Sequence, residues 1–129
     1  MNSSLIVCLA WLISLSTLSL GCSESPPQYR PGGPYYYKSW INYYLPYRPA
    51  GEISLSEAEA LERRGYAYCV AFFDTQGRII SFEKKYGSTV EFKVTYFYVN
   101  GVLRREGIID ANGLAKFTFY DEKGKRMHP

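Results

Sequence analysis

Between residues 66 and 121 apolar and polar side chains alternate in short runs rich in β-branched and aromatic residues, and a turn signal closes each run. Four signals join an Asp or Asn to a Gly that can take positive φ: Asp74-Thr75-Gln76-Gly77, Asn100-Gly101, Asp110-Ala111-Asn112-Gly113 and Asp121-Glu122-Lys123-Gly124. Gly87-Ser88-Thr89 is a weaker fifth, its Gly coming first. Spacings of roughly ten to fourteen residues suit strands with their turns. They leave no room for the crossover of a parallel βαβ unit. The pattern predicts an antiparallel meander.

Alternation also predicts the register. Tyr66, Tyr68, Val70 and Phe72 share a face, with Ile80 and Phe82 beside them across the Gly77 turn. Closing the next turn with Tyr86 opposite Val90 aligns Phe82 with Val94, Glu83 with Lys93, and Lys85 with Glu91. A slip of one residue would set both glutamates against apolar side chains. The apolar face continues through Phe92, Tyr96, Tyr98, Leu103, Ile109, Ala115, Phe117 and Phe119, with Gly107 opposite Phe117. The other face, carrying Cys69, Glu83, Lys85, Glu91, Lys93, Arg104 and Glu106, is expected to be mostly solvated, so one face needs a cover.

Two segments can supply that cover. Ser56-Glu57-Ala58-Glu59 reads as a capping box opening a helix of about eight or nine residues, stopped by Gly65, with Leu55, Ala58 and Leu61 as its apolar stripe. Tyr35 to Tyr47 is the most aromatic stretch, and Lys38 to Leu45 is expected as a further strand or extended segment over the sheet. Alternatively Tyr36, Tyr37, Trp40 and Tyr44 form a stacking platform for a glycan or cell-wall polymer. The fold class is thus α+β: a meander of five or six strands over residues 35–125, one face covered by a short helix and the Tyr-rich segment, and a frayed tail at 126–129.

Residues 1–21 carry no charged side chain, and the apolar run from Leu5 to Leu20 would reach only about 24 Å as a helix, short of the roughly 30 Å of a bilayer core. An export signal is the expectation. Its end, Leu18-Ser19-Leu20-Gly21-Cys22, resembles the lipobox of bacterial lipoproteins. The resemblance implies lipid on Cys22 and a chain anchored outside the inner membrane, on the outer-membrane or periplasmic side, with Ser23 resembling an outer-membrane sorting signal. The alternatives are simple cleavage after Gly21, which would free Cys22 to bridge Cys69, and an uncleaved anchor. Residues 22–34, rich in Pro and Gly, read as a tether, whose last twelve residues would reach up to about 35 Å when extended.

Candidate chemistry is sparse. The single histidine, His128, excludes a His-based triad and a multi-His metal site, and no phosphate-cradling Gly loop or paired-Cys metal motif occurs. Glu83, Glu91 and Glu106 are the carboxylates a hydrolase would need, yet each has a basic residue expected on its own face: Lys93, Lys85 and Arg104. No catalytic residue, cofactor or metal is assigned, and Cys69 reads as a small packing residue. A net charge of +3 on 129 residues, interspersed with acids, argues against nucleic acid as a partner.

Within residues 69–109, Phe73-Asp74-Thr75-Gln76-Gly77-Arg78, Phe82-Glu83-Lys84-Lys85-Tyr86-Gly87 and Val99-Asn100-Gly101-Val102-Leu103-Arg104-Arg105 resemble a small uncharacterised bacterial family, a domain of unknown function. The hairpin also resembles the YD-type repeats of bacterial secreted proteins. Both resemblances imply a β-rich domain with no known activity. The expected role is a non-catalytic binding or structural one at the envelope. The alternatives are glycan recognition and an immunity-like protein that binds a toxin.

Overall fold

The computed structural model describes residues 28–129; the expected signal, Cys22 and the start of the tether lie outside the described residues. Seven strands and one helix follow in the order β1 (Gly32–Ile41), β2 (Arg48–Ile53), α1 (Leu55–Arg63), β3 (Ala67–Phe73), β4 (Ile79–Tyr86), β5 (Thr89–Val99), β6 (Val102–Asp110) and β7 (Ala115–Phe119). All pairings are antiparallel, in the spatial order β2-β1-β3-β4-β5-β6-β7. The meander is therefore larger than the five or six strands expected. The extra strand is β2, whose Pro49 and Gly51 disguise it. It sits at the edge, where a missing N–H costs no ladder bond.

The turns are built by local side chains. In Asp74-x-x-Gly77, Asp110-x-x-Gly113 and Asp121-x-x-Gly124 the Asp Oδ1 accepts the backbone N–H groups two and four residues on, at 2.9 to 3.0 Å. Each Gly N–H donates to the Asp carbonyl at 3.0 Å. The three glycines have φ of 76°, 81° and 80°, the left-handed region that favours Gly. One loop is thus used three times, and Arg78 adds its Nε to Asp74 Oδ2 at 2.7 Å in the first.

Three hairpins also carry one extra residue each, and these bulges reorganise the faces. Phe73 pairs with Ile79 but Phe72 with Ser81, so Ile80 is the extra residue. Lys84 pairs with Phe92 but Lys85 with Val90, leaving Glu91 as extra. Phe97 pairs with Arg105 but Tyr98 with Leu103, leaving Arg104. The expected pairs Phe82–Val94 and Glu83–Lys93 form, whereas Lys85 does not oppose Glu91. Lys84 binds Glu91 instead, at 2.8 Å, and Lys85 reaches Glu62 at 3.6 Å.

Phe82 accordingly lies beside Ala71, not beside Val70, so the face expected for β3 is corrected by one residue. Both faces of β3 are in fact buried. On one, Ile53, Ala58, Tyr68 and Val70 pack with Tyr36, Leu61 and Phe72 beneath α1. On the other, Cys69, Ala71 and Phe73 join Tyr37, Ile79, Phe82, Val94 and Tyr96 in the larger core. The helix and the Tyr-rich segment therefore cover opposite faces rather than sharing one. β1 pairs with β3 only up to Tyr37 and then continues with β2 alone. That hairpin end lies over β4 and β5: Trp40 stands 5.7 Å from Phe82 and 6.0 Å from Phe92, and Tyr47 lies 6.1 Å from Phe82 (ring centroids).

Both ends of the domain are tied down. Tyr29 stacks on Phe73 at 4.5 Å, and its N–H donates to Gly77 O at 3.2 Å, so residues expected to be tether belong to the packed domain. At the other end Arg126 bridges to Tyr120 and Met127 N–H donates to Phe119 O at 2.8 Å, where a frayed tail was expected.

The helix begins earlier than the expected Ser56 cap. Ser54 is the N-cap: its hydroxyl accepts Glu57 N–H at 3.2 Å while Glu57 Oε2 accepts Ser54 N–H at 2.8 Å. Replacing the true cap is expected to lower unfolding free energy by about 1 kcal/mol in Ser54→Ala, against under about 0.5 kcal/mol in Ser56→Ala, by urea titration followed with far-UV circular dichroism. The reverse order would place the cap at Ser56 after all.

Candidate binding surface

The four rings of the expected platform do not form a row. Tyr36 and Tyr37 are neighbours on one strand and so face opposite sides, Tyr36 beneath α1 and Tyr37 buried in the larger core. Burial pushes the Tyr37 phenol up to about 12, so it stays neutral. Trp40 is half-buried against Phe82 and Phe92 with Lys84 Nζ 5.0 Å above it. Tyr44 lies under the Arg48 guanidinium, 3.6 Å away. Cys22 lies outside the described residues. Cys69 is fully buried, and burial raises its thiol to about 12, which keeps it protonated and unreactive.

The candidate carboxylates are held in different ways. Glu83 and Glu91 pair with Lys93 (3.5 Å) and Lys84 (2.8 Å) on part-exposed ladders. Glu106 differs from both. The Arg104 bulge turns it onto the core face opposite Tyr96, where it is 8% exposed and its Oε2 has no hydrogen-bond partner. Arg104, its expected partner, donates Nε to Tyr120 O at 2.9 Å instead. Burial raises the Glu106 pKa, opposed in part by the Tyr96 hydroxyl and the Arg126 charge. The Tyr96 hydroxyl is itself fixed by accepting Tyr47 N–H at 3.0 Å. Among the described residues no group of three His, Cys, Asp or Glu side chains is arranged to hold a metal.

The same bulge sends Phe117 and Phe119 the other way, out of the core where alternation had placed them. Two rows cross the open face of β5, β6 and β7: Thr95, Gly107 and Phe117, then Phe97, Arg105 and Phe119. Phe97, Phe117 and Phe119 are 51%, 50% and 52% exposed. The Phe117 ring covers Gly107, as expected; a Cβ there would meet Phe117 Cε1 and Thr95 Oγ1 at 2.8 Å. Arg105 sits between the rings, 5.3 Å from Phe97 and 5.7 Å from Phe117, and forms no ion pair among the described residues. α1 covers β1 and β3, and among the described residues nothing covers this end of the same face. Three half-exposed phenylalanines around an unpaired guanidinium make a surface that can bury apolar area and accept a carboxylate together. The cross-strand rows are the signal in the sequence that would have revealed it, once the extra residue at Arg104 is counted.

The model of a family described as a family of unknown function (DUF6156) matches residues 32–129. No curated protein and no solved structure matches the chain.

Glu106 makes a measurable statement about pH. Because its folded pKa is raised, the folded chain holds this proton more tightly than the unfolded chain. The penalty is absent below the unfolded value of about 4.3, grows as pH rises through the raised folded value, and is complete above it. Glu106→Gln, neutral throughout, is expected to match the parent near pH 4 and to exceed it by about 1 kcal/mol at pH 7 in urea unfolding. A variant that is no more stable at pH 7 would mean that Glu106 carries no buried charge.

Proposed function

We propose that this chain, which belongs to the family of unknown function DUF6156, is a non-catalytic binding domain of the bacterial envelope, lipid-anchored through Cys22, that engages a protein partner by the open face of β5, β6 and β7. The observation that carries the reading is the uncovered Phe97-Arg105-Phe119 row with Phe117 beside it. Aromatic and Arg side chains are the residue types that dominate protein interfaces, and their joint exposure is what an interface core looks like before its partner arrives. An acidic, apolar partner surface suits it, since Arg105 has no carboxylate partner among the described residues. The dispersal of Tyr36, Tyr37, Trp40 and Tyr44 supports a protein over a glycan, because sugars need rings presented side by side to solvent. A blocked toxin, as in an immunity-like role, is a partner of the same kind.

The partner test is crosslinking in the living cell with a photoreactive residue in place of Phe119. A discrete protein adduct is expected, reduced at least tenfold by Arg105→Glu and unchanged by Tyr43→Ser on the far side of the domain. Arg105 is exposed, so Arg105→Glu is expected to alter stability by less than about 0.5 kcal/mol, separating lost binding from lost folding. An adduct indifferent to Arg105→Glu would end the reading. For the anchor, intact-mass analysis of membrane-extracted protein is expected to show acyl mass on a chain beginning at Cys22, replaced by an uncleaved chain under a lipoprotein signal-peptidase inhibitor. A mature chain without acyl mass would leave a freely released protein instead.

A further inference from the structure

The opposite face carries a second feature, independent of the surface just described. Where the connection between β1 and β2 folds over the sheet it forms a half-open cavity of about 460 Å³, within the range of small-molecule sites, roughly 300 to 1,000 Å³. We propose that this cavity binds a small organic anion, a single carboxylate on a flat apolar body, with Arg48 as the group that holds the charge.

Four distant segments build it. Ile79, Tyr98 and Leu103 contribute apolar surface from the sheet, Tyr29 from the N-terminal segment, and Pro46 and Tyr47 from the connection. The phenols of Tyr29 and Tyr98 are spent on backbone: they donate to Pro49 O at 2.9 Å and Ile79 O at 2.7 Å. Their rings therefore offer flat apolar surface, and burial keeps both hydroxyls neutral. The charged lining residues are Arg48 and Arg78, and among the described residues no carboxylate lines the cavity.

The two arginines are not equivalent. Arg78 already gives its Nε to Asp74 and lies 4.8 Å above the Tyr98 ring, so its charge is largely neutralised. Arg48 has no ion pair among the described residues, and its guanidinium is stacked 3.6 Å over Tyr44. Stacking fixes the plane of a guanidinium and leaves the N–H groups at its edge free, the geometry that receives a carboxylate by two parallel bonds. A fixed cation beside an apolar hollow selects for a ligand having both features. A neutral ligand leaves Arg48 unanswered; a small inorganic anion leaves the hollow unfilled.

Calorimetric titration of the purified protein with 2-naphthoate tests this, with 2-naphthamide as the neutral isostere. Saturable binding of 2-naphthoate is expected, at least tenfold weaker binding of the amide, and a loss of about tenfold in Arg48→Met. Leu45→Trp, at an exposed position on the cavity wall, is expected to weaken 2-naphthoate binding by obstruction, while Arg105→Glu leaves it unchanged. Far-UV circular dichroism and thermal melting of both cavity variants guard against misfolding, and Leu45→Trp keeps the test alive if Arg48→Met does not fold. No saturable binding up to millimolar 2-naphthoate, equal affinity for the amide, or parental affinity in the folded variants would overturn the proposal.

Discussion

β3 is apolar on both sides, and that imposes the architecture. Tyr68, Val70 and Phe72 project to one face, Cys69, Ala71 and Phe73 to the other, and a strand of this kind cannot border water on either. A plain meander leaves one face open, so the chain must bring two covers to opposite sides. The helix, whose apolar residues form only a narrow stripe, meets the side bearing large residues. The other side is lined by Cys69 and Ala71, and the smallness of these two admits Tyr37 and Phe82, their neighbours across the ladders. Large side chains set beside small ones fill the layer without voids. β1 and β2 must lie beside β3 for this to work, because only from there can their far end fold across β4 and β5.

The second constraint is the extra residue in β6. Arg104 occupies a bulge, and every residue after it changes face relative to simple alternation. Glu106 turns inward, Phe117 and Phe119 outward. An exposed aromatic surface and a buried carboxylate with an unsatisfied oxygen are thus two results of one backbone event. Their energies are unequal: the ladder pair Lys84–Glu91 contributes about 0.2 to 1 kcal/mol, while leaving a buried acceptor unpaired costs about 1 to 3 kcal/mol. The nearby Arg126 charge offsets part of that cost and gives the C-terminal segment a reason to fold back.

These events explain which parts of the fold could be read from the residues and which could not. The Asp-x-x-Gly loops were legible because their hydrogen bonds run between residues at most four apart. Phe82–Val94 and Glu83–Lys93 were legible because the bulge at Glu91 lies between them and the turn, so the register counted through Tyr86 and Val90 still meets the true one beyond it. The bulges at Ile80 and Arg104 were not, since period-two counting has no term for an inserted residue. β3 offered two equally apolar faces and hence no means of choosing. Ser54 and Ser56 both stand three residues before a glutamate, so composition could not select the cap. For the candidate surface, Gly107 opposite Phe117 was legible, but assigning that pair to the covered face concealed it. Arg48, one of the two arginines lining the cavity, was not legible because its place there depends on a connection folding over a sheet.

The sheet's edges narrow how a partner can dock. An exposed edge strand invites another strand to pair with it. Here β2, at one edge, carries Pro49, which has no N–H to offer, and Gly51 with φ of 72°, which breaks the regular extended backbone. At the other edge β7 is only five residues long, and the returning C-terminal segment already occupies Phe119 O through Met127 N–H. Strand addition is disfavoured at both ends, so the recognition proposed above would fall to side chains on the faces. The helix closes one end of the outer face, and the hairpin end covers the part of the inner one over β4 and β5. Among the described residues the outer face stays open around Arg105, where contact with a partner of the kind proposed would be read as ring packing and charge instead of backbone hydrogen bonds.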